Sequence, residues 1–445
     1  MVRRALANAG VAEHELTAVA VTVGPGLVMC LRVGVTKAQS ICAVHDIPII
    51  PVHHMEAHAL VARVGSGRDR WMDGHTEDEN RNRNRDGTQT DGDRNRNRDG
   101  TTSTRSSEES NGDGTSMEDT ESAPTASFPF LALLVSGGHN QLLLATNVGE
   151  YKILGTTLDD ALGEAYDKTA RLLGLDVGGG GGPALEQLAR KGNPKAYRFP
   201  IPLRKRKDCD FSYAGLKTAV RLAIERDLGK GNTDAFSKVQ GGGLAETDTD
   251  REHDASRETI ETNPFSPEEL AERNQIKADI AASFQFAAVT HLEERTRRAV
   301  GWARESLREQ AESRSQSESH PDISCLVVAG GVAANEVVRK TLASVAKEAG
   351  VPLVTPPQRW CTDNGVMVAW VGVERWRLGL AEEAPTLSQI AEPEVVDPSS
   401  DKKQQRRDVP LLPRWPLGLK DARATGDVKS SKTAKVAPPL RGARR

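Results

Sequence analysis

The chain has 445 residues, more than one hydrophobic core usually supports, so two or more domains are expected. Its 59 Lys and Arg nearly balance 62 Asp and Glu, and the formal net charge of −3 does not single out a nucleic-acid binder. Five scattered cysteines without a CxxC pair argue against a disulfide framework and favour a reducing compartment. No apolar run approaches the ~20 residues of a membrane span, so no membrane association is expected, and the N-terminus lacks the apolar core of a secretory signal.

Strands and helices alternate along much of the chain. Residues 1–64 contain "LTAVAVTV", a buried strand ending at "GPG", then the helical "VGVTKAQSICAVH" and the short strand "IPIIPV". Further on, "FPFLALLVSGGHNQLLLAT" predicts a β-hairpin and "LDDALGEAYDKTARLLGL" a helix. "CLVVAGGVAANEVVRKTLASVAKEAG" predicts a strand, a Gly-Gly turn and a helix closed by Gly350. The pattern predicts an α/β architecture built from residues 1–64, 128–227 and 268–396.

Two polar stretches interrupt this pattern and are predicted to be disordered insertions. Residues 65–127 carry the motif NRNRDGT at Asn82 and again at Asn95, and residues 228–267 contain "GGGLAETDTDREHDASRETIETN". Such segments lack the aliphatic residues needed to offset chain entropy. The C-terminal segment, 397–445, ends in a basic tail: from Asp401 onward it has 13 Lys/Arg and 4 Asp, a local charge of +9. The tail is either a solvated disordered end or a contact for an RNA backbone.

Glycine-rich turns recur at "VSGGH", "GGGGGP" and "AGGVAAN". Glycine lets the backbone approach a ligand closely, and a following helix N-terminus favours negative charge. Each turn alone is compatible with a simple tight turn, and none matches the Walker A or GxGxxG patterns. Their combination favours a nucleotide cleft between two lobes.

Residues 51–60, "PVHHMEAHAL", concentrate three of the ten histidines. On a helix His54 and His58 share one face and could bind one divalent ion, whereas Glu56 projects away. The protease pattern HExxH requires Glu where this chain has Met55, so a metalloprotease is disfavoured. Spacing alone does not identify a third ligand. Asp363 in "CTDNGVM" is either a carboxylate in a polar site or a helix N-cap.

Eight motifs, in order, resemble the tRNA threonylcarbamoyladenosine transferase family, formerly described as O-sialoglycoprotein endopeptidases, within the actin/sugar-kinase fold class. They are "VTVGPGL", "HHMEAHAL", "LLVSGGH", "GEAYDKTARLLGL", "DFSYAGLKTAV", "AGGVAAN", "CTDNGVM" and "PRWPL". The stretches "HHMEAHAL" and "FPFLALLVSGGH" look most like the mitochondrial branch. The resemblance implies a two-lobed fold with a nucleotide cleft between the lobes, and a mitochondrial location.

The same resemblance implies transfer of a threonylcarbamoyl group from threonylcarbamoyl-adenylate to the N6 amine of adenosine 37, just 3′ of the anticodon, in tRNAs reading ANN codons. AMP is the leaving product. The partners implied are tRNA, the adenylate and a second copy of the chain. One divalent ion, Zn or Fe, is implied, with ligands His54, His58 and Asp363. The adenylate would contact a first group of residues through its phosphate region, Leu134, Val135, Ser136, Gly137 and Gly138, and a second through its nucleoside, Asp167, Gly182, Glu186, Ala334 and Asn335. His53 and His139 are interpreted as structural, and no general base is assigned.

The family normally begins with a strand and a phosphate loop rich in Glu, Thr, Ser and Cys, and no equivalent is found in this sequence. We therefore expect the first strands of the N-terminal lobe and one phosphate contact to be missing. Two other functions stay open: a catalytically impaired relative that binds a partner subunit, and a small-metabolite kinase of the same fold class. The His pair disfavours the kinase, because magnesium prefers oxygen ligands.

Overall fold

The computed structural model describes residues 1–64, 125–178, 180–229, 266–313, 322–385, 395 and 409–424. Of the two predicted insertions, residues 65–124 and 230–265 lie outside these residues, as does most of the basic tail. The predicted bounds are too wide at their ends, since Ala126 is buried, Leu228 ends a helix and Pro267 starts one. One compact unit comprises Met1–Arg63 and Ala126–Arg445. A second unit spans Val64–Thr125, of which only the two end residues are described.

The N-terminal region folds as predicted, with a helix between two strands. Helix α1 is Val2–Ala9, strand β1 is Val19–Gly24, helix α2 is Val28–His45 and strand β2 is Ile49–His53. The strands pair in parallel with Val19 opposite Ile49, as a helical crossover requires. One side of α2 packs on this sheet through Leu31, Val35 and Ala38, which are buried.

A six-stranded sheet forms the centre of the protein. Its strands are β3 Phe130–Val135, β4 Asn140–Asn147, β5 Glu150–Thr156, β6 Leu326–Ala329, β7 Leu353–Val354 and β8 Leu419–Lys420. Their spatial order is β7-β6-β3-β4-β5-β8. The β3–β4 hairpin is confirmed, with Val135 opposite Asn140. Every residue of β3 is buried, because it lies between antiparallel β4 and parallel β6 inside the sheet.

Helices cover the two sheets and carry the remaining predicted motifs. They are α3 His54–Leu60, α4 Leu162–Leu172, α5 Gly181–Ala189, α6 Ala214–Leu228, α7 Pro267–Ser313, α8 Glu336–Glu348, α9 Gln358–Cys361 and α10 Gly365–Arg377. The predicted turn before α8 contains a short 3₁₀ helix, Gly331–Ala334. Within the described ranges, no helix combines the length and apolar character that a membrane span requires.

The chain near its C-terminus packs on both sheets. Leu412 donates its backbone N–H to Val23 O at 2.8 Å, beside the first sheet. Strand β8 then extends the second sheet, and Asp421 N–H donates to Ile153 O at 2.8 Å. Leu411 and Leu417 are buried. Residues 409–424 are therefore part of the compact core rather than of the basic tail.

Candidate functional site

The helix that carries the His pair starts directly after strand β2. His53 caps it, since Met55 N–H donates to His53 Nδ1 at 3.1 Å. The other ring nitrogen, Nε2, lies 2.8 Å from Trp415 O. Burial lowers the pKa of His53 to about 3, so the ring stays neutral. The structural role predicted for His53 agrees with these contacts.

His54 and His58 lie on one face of α3, and Asp363 meets both. The two ring centroids are 4.8 Å apart. Asp363 Oδ1 lies 2.9 Å from His58 Nε2 and 3.5 Å from His54 Nε2. The structure thus brings together all three predicted metal ligands, although 305 residues separate His58 from Asp363.

Asp363 does not cap the helix that follows it. The cap of α10 is Asn364, whose side-chain oxygen accepts a hydrogen bond from Met367 N–H at 2.9 Å. The Asp363 side chain is 75% exposed and turns toward the imidazoles. Of the two interpretations that the sequence left open, the helix N-cap is therefore wrong.

The donor set fits one divalent ion. One ligand atom from each of the three residues can be chosen so that all lie within 4.8 Å of one another. Donors about 2.1 Å from a shared tetrahedral ion lie about 3.4 Å apart, close to the Asp363–imidazole distances. Burial, and next the neighbouring His54, lower the pKa of His58 to about 4, with Asp363 opposing the shift. Neutral imidazole is the form that binds metal, and three protein ligands leave positions open for a substrate oxygen.

Glu56 points to the opposite side of α3, as the helical spacing predicted. It is fully buried, and its Oε1 accepts hydrogen bonds from Gly149 N–H at 2.9 Å and Tyr151 O–H at 3.1 Å. Its Oε2 forms an ion pair with Arg375, 2.6 Å from Nη2. These partners hold α3 against the central sheet and α10.

The turn between β3 and β4 is closed on itself and presents two glycines. Ser136 N–H donates to His139 O at 2.8 Å, and His139 N–H donates to Ser136 Oγ at 3.1 Å. Gly137 and Gly138 are exposed, and a Cβ added at either would meet no atom within 4 Å. Leu134 and Val135 are buried in β3, and both pair with β4 inside the sheet.

A cleft of about 290 Å³ lies beside this turn. It is lined by six of the predicted substrate residues, namely Gly137, Asp167, Gly182, Glu186, Ala334 and Asn335. Leu134, Val135, Ser136 and Gly138 do not line it. The prediction missed seven lining residues, which are Gly163, Tyr166, Gly180, Pro183, Gly331, Val332 and Gln358. Gly163 lies one helical turn before Asp167 in the "GEAYDK" motif, which could have indicated it, whereas nothing local marked Gln358.

Three helices begin at the cleft. Gly163 belongs to the first turn of α4, Gly182 to the first turn of α5, and Asn335 caps α8 by accepting a hydrogen bond from Val338 N–H at 3.0 Å. Helix N-termini carry partial positive charge and favour anions. The cleft therefore suits a ligand with a phosphate group.

Several cleft side chains also hold the cleft together. Asp167 Oδ1 accepts a hydrogen bond from Gly182 N–H at 3.1 Å, which fixes α5 against α4. Glu186 Oε1 accepts one from Glu336 N–H at 3.1 Å, which fixes α5 against α8. Replacing either carboxylate would change the shape of the cleft as well as its polarity.

The cleft and the three metal ligands are adjacent. The turn that contributes Gly137 to the cleft also carries His139, whose ring centroid lies 6.5 Å from that of His54. His139 was predicted to be structural, and its backbone does close the turn. Its exposed side chain also faces the metal ligands.

These features define a mixed α/β protein with a central sheet, a cleft suited to a nucleotide and a candidate metal centre at its mouth. The family model for tRNA N6-adenosine threonylcarbamoyltransferase matches residues 1–70 and 114–370. The chain belongs to this family.

Individual relatives agree with the family match. A protein of Arabidopsis thaliana named "Probable tRNA N6-adenosine threonylcarbamoyltransferase, mitochondrial" is 40% identical over 440 residues, covering 99% of this chain and 68% of that protein. A tRNA N6-adenosine threonylcarbamoyltransferase of Rhodospirillum rubrum is 35% identical over 426 residues, covering 96% of this chain and 80% of that protein. Among solved structures, the crystal structure of T. kodakarensis HypF matches with a TM-score of 0.33 and 15% identity, over 84% of this chain and 43% of that one.

Proposed function

We propose that this protein transfers a threonylcarbamoyl group from threonylcarbamoyl-adenylate to the N6 amine of adenosine 37 in tRNAs reading ANN codons, releasing AMP. The observation that carries the proposal is the position of His54, His58 and Asp363 next to a cleft at which three helices begin. Such a site can hold an adenylate phosphate and act on the acyl group bonded to it. The family membership supports the same reaction.

The adenylate would lie along the cleft with its phosphate at the turn Leu134–Gly138. The exposed backbone at Gly137 and Gly138 and the partial positive charge at the N-terminus of α4 would favour the negative charge of the leaving AMP. Asp167, Gly182, Glu186, Ala334 and Asn335 would surround the nucleoside. Because the mixed anhydride is already activated, orientation of the acyl carbon is the main task of these residues.

His54, His58 and Asp363 would hold one divalent ion, Zn or Fe. When bound, such an ion polarises a substrate oxygen and stabilises developing negative charge. The protein's own contribution is to keep the His58 imidazole neutral and both imidazoles on one helix face, with the Asp363 carboxylate supplied just before the start of α10.

We also propose the two-lobed actin/sugar-kinase arrangement, with the cleft between the lobes. Two separate hydrophobic clusters support it. One surrounds β1, β2 and α2, and the other surrounds the six-stranded sheet with α4 to α8.

A homodimer through α2 forms part of the proposal. Met29 and Val33, one helical turn apart, are 82% and 73% exposed, and Leu27 just before the helix is 76% exposed. A contiguous apolar face of this kind is self-complementary in a two-fold pair. Met29→Glu with Val33→Glu should give monomers by light scattering, whereas Leu222→Glu on α6 should not change the mass.

The proposed location is the mitochondrion, on the likeness to the Arabidopsis protein. Fractionation of cells that express the native gene, with immunodetection of the protein, tests this location. Detection outside mitochondria only would contradict it.

The reaction is tested with purified protein, threonylcarbamoyl-adenylate and unmodified tRNA. We expect modified nucleoside and AMP in equal amounts, and no product with a tRNA carrying guanosine at position 37. Binding of adenylate and tRNA without product would favour the impaired, partner-binding relative. Phosphorylation of a small metabolite from ATP would favour the kinase, which the imidazole ligands argue against.

A further inference from the structure

A second cavity, distinct from the site above, opens beside strand β8. Its volume is about 470 Å³, and it is lined by Arg206, Lys207, Asp208, Trp302 and Arg423. Two of these residues belong to the run Arg204–Lys207, four consecutive cations. The run and the cavity together are called the basic surface below.

On the basic surface, the cationic side chains are mostly exposed, whereas two nearby carboxylates are buried. Arg204, Lys205 and Lys207 are exposed, with 72% of the Arg204 side chain accessible. The nearby carboxylates of Asp208 and Asp421 are buried, at 4% and 3% exposure. Two further carboxylates lie at the edge of this surface, Glu305 beside Arg423 and Glu294 4.0 Å from Arg204. Lys205 and Lys207 are exposed cations between them, so the run Arg204–Lys207 still presents positive charge to solvent.

Buried arginine side chains hydrogen-bond to the backbone of the segment that carries these cations. Arg295, 1% exposed, donates to the carbonyl oxygen of Arg206 at 2.9 Å and also to those of Leu203 and Asp208. Arg298 donates to the Asp208 carbonyl as well. A loop fixed in this way loses little further backbone entropy when it binds a partner.

Arg423 and Trp302, which also line the cavity, are equally well ordered. The Arg423 guanidinium lies 4.5 Å from the centroid of the Trp302 ring. Its Nη2 also donates to Asp421 Oδ2 at 2.8 Å. Arg423 therefore has a defined position in the wall of the cavity that Lys207 also lines.

The basic surface lies at the same end of the central sheet as the turn 136–139. Thr156 at the end of β5 pairs with Gln141 at the start of β4, directly after that turn. Strand β8 runs parallel to β5, with Lys420 opposite Ile153. Thr156 N–H donates to Asp210 Oδ1 at 3.0 Å, so the chain just after Lys207 lies at this end of β5. Adjacent strands are about 4.8 Å apart, which places β8 about 10 Å from β4 at this end.

We infer that the basic surface binds the sugar-phosphate backbone of the RNA substrate. This inference rests on the proposed function for the identity of the RNA as tRNA. An exposed run of cations attracts phosphates without reading bases. Because β8 lies only two strand spacings from β4, one RNA strand can reach both the basic surface and the cleft. The surface would hold the strand beside the nucleotide whose base enters the cleft.

The test is binding of unmodified tRNA by the full chain at several salt concentrations. The variant Arg204→Ala/Lys205→Ala/Lys207→Ala should bind tRNA about tenfold more weakly at 0.1 M salt, and the slope of log K against log salt should fall by about 2 to 3. The matched control is Arg339→Ala/Lys340→Ala/Lys347→Ala on α8. This control also removes one arginine and two lysines. They lie on α8, near β7, at the edge of the six-stranded sheet opposite β8.

Equal tRNA affinities and slopes for the two triple variants would overturn the inference. A second outcome would also overturn it: the wild type binds anionic lipid vesicles, and Arg204→Ala/Lys205→Ala/Lys207→Ala loses this lipid binding but keeps its tRNA affinity. AMP affinity, measured by calorimetry, should be the same in both variants and the wild type. A failure of the proposed function would be seen separately, as absent transfer by the wild type with its tRNA binding intact.

Discussion

Glu56 and Arg375 form a buried ion pair, with 2.6 Å between Oε2 and Nη2, that joins the two elements supplying the candidate metal ligands. Glu56 lies between His54 and His58 on α3. Arg375 lies on α10, the helix that begins just after Asp363. The pair therefore sets how the carboxylate meets the imidazoles, without itself touching the site.

Glu56→Ala should lower the free energy of unfolding by about 3 to 5 kcal/mol, because it leaves Arg375 charged and buried without its partner. Metal affinity should fall with it. Denaturant unfolding and metal titration measure the two effects. Glu348→Ala, which breaks the exposed pair with Arg297, should change stability little. Equal effects of the two substitutions would contradict the role given to the buried pair.

His58→Ala should reduce bound metal from about one ion per chain to near zero and should abolish transfer, because two ligands do not make a closed site. Elemental analysis of the purified variant gives the metal content, and the tRNA assay gives the activity. His45→Ala, at the end of α2, serves as the control. One metal ion per chain in purified His58→Ala would contradict the proposed metal centre.

Gly163→Ala should displace the turn that faces the cleft. A Cβ there would lie 2.7 Å from Ser136 O and 2.9 Å from Gly137 N, which is closer than real Cβ contacts allow. We expect a loss of about 1 to 3 kcal/mol of stability and weaker AMP binding. Gly301→Ala on α7 meets no atom within 4 Å and should be neutral or stabilising by about 0.5 to 1 kcal/mol. Scanning calorimetry measures the stability of both variants, and titration calorimetry measures their AMP affinity. Similar values for Gly163→Ala and Gly301→Ala would contradict the prediction.

His291 should make the protein sensitive to acid. It is fully buried and accepts a hydrogen bond from Ser212 N–H at 3.3 Å, and burial lowers its pKa from 6.5 to about 3. Between these values the unfolded chain binds a proton that the folded chain does not. Stability should therefore fall as pH drops, by about 1.4 kcal/mol per pH unit from this residue. His291→Gln should flatten that slope in unfolding measured from pH 6 to 4, whereas His14→Gln at an exposed position should not.

The polar stretch after Arg63 should be dispensable for stability as far as residue 124, but not through Ala126. Arg63 Nη1 donates to Ala126 O at 2.9 Å, and Ala126 is 3% exposed, so the chain leaves and re-enters the core at neighbouring points. Replacing residues 66–124 by a short Gly-Ser linker should leave the melting temperature nearly unchanged, since the composition of that stretch offers no core. Extending the deletion through Ala126 should lower it. A large drop from the shorter deletion would show that the segment packs.

Much of the local structure was predictable from the sequence. Alternating and continuous apolar runs predicted β1, β2 and the β3–β4 hairpin, helical spacing predicted α2, α4 and α8, and the HxxxH spacing placed two imidazoles on one face. These features depend on residues a few positions apart, so periodicity and turn chemistry are sufficient to encode them. The ordered motifs also identified the family.

Long-range partners were decided by the tertiary structure alone. Local spacing could not choose between Asp363 as ligand and Asp363 as helix cap, and the answer came from the packing of α10 against α3, together with Asn364 taking the cap. The Glu56–Arg375 pair and the meeting of Arg423 and Lys207 in one cavity could likewise not be predicted from the sequence. Local patterns specify how the backbone turns, whereas contacts between distant residues depend on how whole elements pack, and that packing is a property of the folded chain.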